Sequence, residues 1–245
     1  MNTVSKRDRL RREADATLAG GASRTQWGTV AVQSSDGAVW IDLTLRNRTG
    51  LNQVLEHYDV PREVATYFFL HYQSPKVIHA GPALFVMIFL AAPSLRHMFS
   101  LWELKICLTP TLVATVCEPF VHAKPNRDRI LPLPPPRPTG SAERLLSDLL
   151  GRVLSSYETV VKTIADQSLG GMGKEERQLW RQRVAKFAEV LHGARSVMNH
   201  VAHAERKLAL TDNLEHFDVL ATRLETLIRT IEDILRLTHT DTGRS

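Results

Sequence analysis

The chain contains little cysteine, and the two residues that it has form no recognisable metal motif. Only Cys107 and Cys117 occur among its 245 residues, and no CxxC pair is present. A zinc site built from cysteines is therefore excluded. Both cysteines lie in short apolar runs with the alternation of β-strands, so they are predicted to be buried free thiols and not a disulfide.

A long hydrophobic run is also missing. The longest one covers residues 83–92 and is bracketed by Pro82 and Pro93. Its length is about half of the ~20 residues needed to cross a bilayer. The first twelve residues are charged and lack the apolar segment of a signal peptide. The chain is therefore predicted to have no transmembrane helix and to be cytoplasmic, reaching a membrane surface only through partners.

Motifs of the common enzyme classes are absent. The sequence has no glycine-rich phosphate loop, no GxSxG elbow and no HExxH helix. No carboxylate pair or nucleophile–base arrangement is visible either. The chain is predicted not to be an enzyme, with a metal-dependent enzyme kept as the minor alternative.

The net charge of +5 comes partly from basic residues near the N-terminus. No aromatic side chain lies between them, so no platform for stacking nucleic-acid bases is formed. Residues 1–24 are predicted to be a flexible basic arm, and no nucleic-acid partner is expected.

The first half of the chain alternates between strand and helix patterns. Strands are predicted at residues 27–33, 39–45, 83–92, 98–108 and 112–117, with a further strand starting at 77–78. Two short helices are predicted between the second strand and residue 77, at 50–58 and from Pro61 onward. Residues 25–121 are therefore predicted to form an α/β domain, a mixed β-sheet with flanking helices.

The second half is predicted to be helical. Residues 122–140 are dense in proline and are predicted to be an extended linker. Residues 141–245 are predicted to fold as three long antiparallel helices, because the connections between their apolar patterns are short. The last helix, at 213–240, has apolar residues spaced three and four apart. This seam consists of Phe217, Leu220, Leu224, Leu227, Ile231, Ile234 and Thr238.

Two groups of side chains are candidate metal ligands. His200 and His203 are three residues apart on the second long helix, a spacing at which two imidazoles bind zinc. Asp218, Glu232 and Asp233 lie on the last helix and offer oxygen ligands to a hard cation such as Mg²⁺. The alternative for both groups is the solvated polar face of an amphipathic helix.

The order of these patterns, together with local sequence matches, resembles the cytosolic domain of the CorA-like divalent metal ion transporters, including ZntB. The matches are residues 39–44, the helix with Leu51, Val54 and Leu55, and then residues 60–64, 73–77 and 84–90. The resemblance implies an α/β half followed by three long helices. It also implies an association with Mg²⁺ or Zn²⁺ transport, in which the chain acts as a regulatory or assembly domain and not as the pore.

The chain departs from this family in two ways. The family's membrane half and its Gly-Met-Asn signature are absent. By this resemblance, Thr66 and Tyr67 fall at the positions of an acidic pair that binds regulatory magnesium in the family, and the partner aspartate falls near Ile228. Weak magnesium binding or none is therefore expected. A standalone scaffold or regulatory protein that has lost metal sensing remains the alternative.

The resemblance also implies partners. The chain is expected to associate with itself, as a pentamer by resemblance or as a dimer, and to contact a membrane-embedded CorA-like relative. Ile228 and Leu235 flank the seam of the last helix and are candidates for contacts between subunits.

Overall fold

A computed structural model describes residues 31–35, 38–43, 48–71, 73–94, 96–121, 141–167, 172–207 and 214–240. These residues form six strands and five helices. The strands are β1 (Ala31–Ser35), β2 (Ala38–Leu43), β3 (Lys76–Ala80), β4 (Ala83–Ser94), β5 (Met98–Thr109) and β6 (Leu112–Val121). The helices are α1 (Arg48–His57), α2 (Arg62–Phe69), α3 (Ala142–Ala165), α4 (Lys174–Lys207) and α5 (Leu214–Thr240).

The strands form one mixed sheet in the order β1-β2-β6-β5-β4-β3. Strands β3 to β6 pair with their sequence neighbours in antiparallel fashion, whereas β2 pairs with β6 in parallel. The predicted fold class is confirmed: a mixed sheet with flanking helices is followed by three long helices. The basic arm and the proline-rich linker lie outside the described residues.

Strand β4 extends beyond the end that the sequence predicted. It continues through Pro93 to Ser94, although the proline was expected to end it at residue 92. Strand β3 pairs with β4 only as far as Met87, so no strand of the described residues neighbours the outer edge of β4 at Pro93. Because a proline on an open strand edge removes no ladder hydrogen bond, the strand tolerates it.

Side chains of helix α3 form hydrogen bonds to backbone groups of β4 that do not pair with β3. The Tyr157 hydroxyl donates to the backbone carbonyl of Phe89 over 2.5 Å, and the Ala91 N–H donates to Ser156 Oγ over 3.2 Å. Burial raises the pKa of Tyr157 far above its ordinary value, so its hydroxyl keeps the donated proton. These two bonds join α3 to the sheet at the point where its edge would otherwise be open.

Helix α2 is directed onto the sheet by the turn that ends α1. The Val60 N–H donates to Leu55 O over 2.9 Å, and the Asp59 N–H donates to Glu56 O over 3.2 Å. Asp59 has a φ of 53°, in the left-handed region that such helix ends require. In α2, Tyr67 and Phe68 then contact Phe85 of β4, with ring centroids 5.5 and 5.4 Å apart.

Strand β5 lies in the centre of the sheet, and all of its residues are buried. Both of its faces must therefore be covered. Helix α2 packs on the face that carries Phe85, Lys105 and Cys107, since Phe85 and Cys107 are paired residues in the β4–β5 ladder. Helix α3 lies across β2, β4, β5 and β6 and covers the other face. Burial raises the pKa of the Cys107 thiol to about 12, which agrees with the predicted free buried thiol.

Helices α3 and α4 together cover the seam of α5. The seam residues Phe217, Leu220, Leu224, Leu227 and Ile231 are buried, as the spacing predicted. Ile228 is also buried, because α5 packs between two helices and needs a wider apolar stripe than a single seam. The prediction that Ile228 is available for contacts between subunits is therefore wrong. Among the described residues, no helix combines the length and the apolar character needed to span a membrane.

Candidate functional site

The most unusual side chain in the described structure is Lys105, a lysine in the centre of the sheet. It lies on the α2 face of β5 and has no exposed surface. Its Nζ donates to Leu70 O over 2.6 Å, to Glu118 Oε2 over 3.0 Å and to Phe68 O over 3.2 Å. Three acceptors use all three N–H groups of an ammonium, so Lys105 is charged in this site.

Two carboxylates lie next to this ammonium. Glu103 Oε2 is 3.5 Å from Lys105 Nζ, and Glu118 Oε2 is 3.0 Å from it. Glu103 is buried and Glu118 is partly exposed. The two glutamates are paired across β5 and β6, which explains why their carboxylates converge on one lysine. One positive charge thus faces two negative ones.

His71 borders the outer side of the group. Its Nδ1 lies 3.3 Å from Glu118 Oε2, and its side chain is half-exposed. His71, Glu103, Lys105 and Glu118 are referred to below as the lysine cluster. The cluster joins the chain just after α2 to two central strands.

The segment between α2 and β3 is held to the same cluster by Gln73. Its backbone N–H donates to Glu103 Oε1 over 2.9 Å. Its side-chain amide donates to Tyr67 O and to Leu70 O, each over 2.9 Å. Together with the two Lys105 bonds, these contacts satisfy carbonyl oxygens at the C-terminal end of α2, which have no partner within the helix.

The lysine cluster has the ligand types of a metal site. One ligand atom each from His71, Glu103 and Glu118 lies within 4.8 Å of the others, and no other group of three candidate ligands occurs among the described residues. A histidine and two carboxylates suit zinc. The Lys105 ammonium, however, already lies between the two carboxylates and the two backbone carbonyls. The Lys105 ammonium therefore occupies the position that a metal ion would need, and the cluster does not fit a metal ion in addition to it.

The metal ligands predicted from sequence lie elsewhere. His200 and His203 are exposed near the C-terminal end of α4, where His200 Nδ1 is 2.7 Å from Ser196 O. Asp218 is exposed near the start of α5. Helices α4 and α5 run antiparallel, because His192 contacts Glu232 whereas Arg195, later on α4, contacts Glu225, earlier on α5. His200, His203 and Asp218 therefore lie at the same end of the helix pair.

The two remaining predicted ligands are far from that end. Glu232 lies about 21 Å along α5 from Asp218, given a rise of about 1.5 Å per residue. Its carboxylate is 3.5 Å from His192 Nε2, and Asp233 is 3.0 Å from Arg236. The structure thus separates the five predicted ligands into two groups, each of which has an ordinary helix-surface environment.

Comparison with known proteins identifies the architecture. No protein-family model matches the sequence, and no curated protein matches it. Solved structures do match. The soluble domain of CorA from Methanocaldococcus jannaschii aligns with a TM-score of 0.63 at 16% identity, covering 84% of this chain and 86% of that one. The ZntB cytoplasmic domain from Vibrio parahaemolyticus RIMD 2210633 gives 0.65 at 11% identity, covering 85% and 86%.

The chain has the CorA cytoplasmic-domain fold. A third match, the full-length CmaX protein, has a TM-score of 0.66 at 14% identity and covers 84% of this chain and 68% of that one. The likeness includes both the sheet and the long helices, since it extends over more than four fifths of the chain. The resemblance inferred from the sequence is confirmed for the fold.

At the positions where the resemblance places the family's acidic pair, this CorA-like fold carries no carboxylate. Thr66 lies on the exposed side of α2 and donates to Arg62 O over 2.8 Å. The Tyr67 ring packs on Phe85, with Lys76 Nζ 5.0 Å from the ring centroid. The buried charges next to this part of α2 are those of the lysine cluster, whose Lys105 ammonium donates to the carbonyls of Phe68 and Leu70 at the C-terminal end of the same helix.

Replacing Lys105 should destabilise the fold strongly. In Lys105→Met, two carboxylates lose their cation and two carbonyls lose a donor. Removing one partner of a buried charge pair typically costs about 3–5 kcal/mol. We expect urea unfolding to show a loss of this size. Lys162→Met, which removes an exposed lysine from α3, should change the free energy of unfolding by less than about 0.5 kcal/mol.

A double variant separates lost charge pairing from lost packing. Lys105→Met combined with Glu118→Gln removes one of the unpaired carboxylates and should recover part of the stability. A loss below about 1 kcal/mol in Lys105→Met alone would contradict a structural role for the ammonium.

Proposed function

We propose that the chain is a regulatory and assembly domain associated with divalent cation transport, and that it is not itself a pore. The observation that carries this proposal is the match to the CorA soluble domain and the ZntB cytoplasmic domain over both the sheet and the long helices. One of the matching proteins is described as a complete CorA magnesium transporter. The corresponding place for this chain is the cytoplasm, at a membrane surface when it is bound to a membrane-embedded relative.

Self-association is part of the proposal. The outward side of α5 carries Val219 and Leu237, which are 58% and 68% exposed, with Thr222 and Thr226 between them. Val219 and Leu237 are eighteen residues apart, which is five helical turns, so they lie on the same side of α5. This stripe is the surface that we assign to contact with a second copy, in a pentamer or a dimer.

Light scattering tests the assembly. The chain has a mass of 27.5 kDa, and we expect a particle mass that is a multiple of this value. Leu237→Glu places a charge in the proposed contact and should shift the particle toward the monomer. Gln178→Glu makes the same kind of change on an exposed part of α4 and should leave the mass unchanged. A monomer at every accessible concentration would refute the proposed assembly.

Metal binding is the second part of the proposal. The proposed ligands are the pair His200 and His203 on α4 and, on α5, Asp218 and the separate pair Glu232 and Asp233. No three of these side chains lie together among the described residues, so each site uses at most two of them. Histidines favour Zn²⁺, whereas carboxylates alone favour Mg²⁺. Since α2 offers Thr66 and Tyr67 where the family has an acidic pair, magnesium binding should be weak.

Calorimetric titration measures both metals. We expect no sub-millimolar affinity for Mg²⁺, and we expect Zn²⁺ binding that His203→Ala removes and His79→Ala retains. His79 is an exposed histidine on β3 and serves as the matched control. Sub-millimolar magnesium affinity accompanied by a rise in melting temperature would contradict the assignment of Tyr67 to a position of the family's acidic pair. Zinc binding that is unaffected by His203→Ala would show that His203 is not a zinc ligand and would contradict the proposed site.

A further inference from the structure

A cavity of about 570 Å³ lies between α4 and the part of the sheet beyond the end of β3. The sheet side consists of Phe89, Phe99, Leu101 and Phe120, and α4 closes the opposite side with residues from Leu179 to Val190. This volume is within the range of about 300–1,000 Å³ that is typical of small-molecule sites. We call it the α4 cavity. None of the predicted metal ligands lines it.

The sheet side of the α4 cavity is aromatic. Phe89 and Phe120 are stacked, with ring centroids 4.8 Å apart and planes inclined by 29°. Phe99 also lines the cavity, and its ring packs against Phe187 at a centroid distance of 5.1 Å. Leu179, 46% exposed on α4, adds an apolar side chain to the lining. Such a surface binds a flat apolar group by stacking and by exclusion of water.

The helix side of the α4 cavity is basic. Arg183 and Lys186 both line it, together with Glu189. Lys186 Nζ is already 2.7 Å from Glu189 Oε2, so these two charges compensate each other. Arg183 donates only to Arg96 O, over a long 3.5 Å, and no carboxylate among the described residues pairs with it. A guanidinium without an acidic partner beside an apolar surface suits a carboxylate or a similar anion.

Gln73 forms part of the cavity wall. Its Nε2 donates to two carbonyl oxygens, which fixes the orientation of the amide. Its Oε1 is fully buried, so the residue contributes a fixed wall and no hydrogen bond to a molecule in the cavity.

We propose that the α4 cavity binds a small amphipathic anion, with its flat apolar body on the phenylalanine surface and its acidic group on Arg183. This site is independent of the proposed transport association, because it uses neither the metal ligands nor the outward side of α5. Its ligand class is an aromatic carboxylate, sulfonate or phosphate monoester.

Two fluorescent probes that differ in charge test the proposal. The anion is 8-anilinonaphthalene-1-sulfonate, and the neutral probe is N-phenyl-1-naphthylamine, which has the same rings without the sulfonate. We expect the full chain to bind one anionic probe per protomer. Arg183→Gln should weaken the anion at least tenfold and the neutral probe less than twofold. Arg229→Gln, which removes an exposed guanidinium from α5, should change neither.

A second variant tests the cavity itself. Leu179→Trp replaces a half-exposed side chain with an indole that fills the space, and it should weaken both probes at least tenfold. Competition then tests the ligand class: 2-naphthoate should displace the anionic probe at a concentration at least tenfold lower than 2-naphthol does.

Three outcomes would overturn the proposal. They are binding of several probe molecules per protomer, equal loss of both probes in Arg183→Gln, and full binding of both probes by Leu179→Trp. A cooperative thermal transition recorded for each variant shows that the probe reports on folded protein, because a molten state also binds this dye.

Discussion

The buried ammonium of Lys105 is the constraint on which this arrangement of sheet and helices depends. A charge without exposed surface is stable only when oxygen atoms surround it closely, and here two carbonyls of the α2 segment and two carboxylates of β5 and β6 do so. The position of α2 on the sheet is therefore fixed by directional bonds as well as by apolar packing. Apolar packing alone would permit more than one placement.

The rest of the fold follows from that placement. The segment after α2 is held by Gln73, and from there the chain enters β3, which is only five residues long. Strand β3 pairs with β4 only as far as Met87. Backbone groups on the remaining edge of β4 therefore bond to side chains of α3, and α4 partly covers this edge. The α4 cavity lies at this boundary. The lysine cluster and the cavity thus share one linking residue, Gln73, which bonds Glu103 and lines the cavity.

Sequence patterns predicted most of the fold and little of the site. The seam of α5 has a spacing of three and four residues that only a helix satisfies. The apolar run of β4 is short and bracketed by Pro82 and Pro93, which favours a buried strand, so both elements were predictable. Glu103 and Lys105 were not, because charged residues that alternate with Leu104 and Ile106 resemble the solvent side of a strand. The usable signal was their position in a strand flanked by other buried strands, where opposite charges two residues apart must be paired. Glu118 joins them through the sheet register and His71 through the packing of α2 on the sheet, and no local sequence pattern contains either.

The most direct test of the central role of Lys105 is anomalous diffraction from crystals soaked in zinc chloride, with data collected above the zinc absorption edge. If the ammonium is the resident cation of the cluster, Lys105 Nζ remains bonded to the carbonyls of Phe68 and Leu70. No anomalous peak then lies among His71, Glu103 and Glu118. A zinc peak coordinated by those three residues, with the Lys105 side chain displaced, would contradict this description and make the cluster a metal centre.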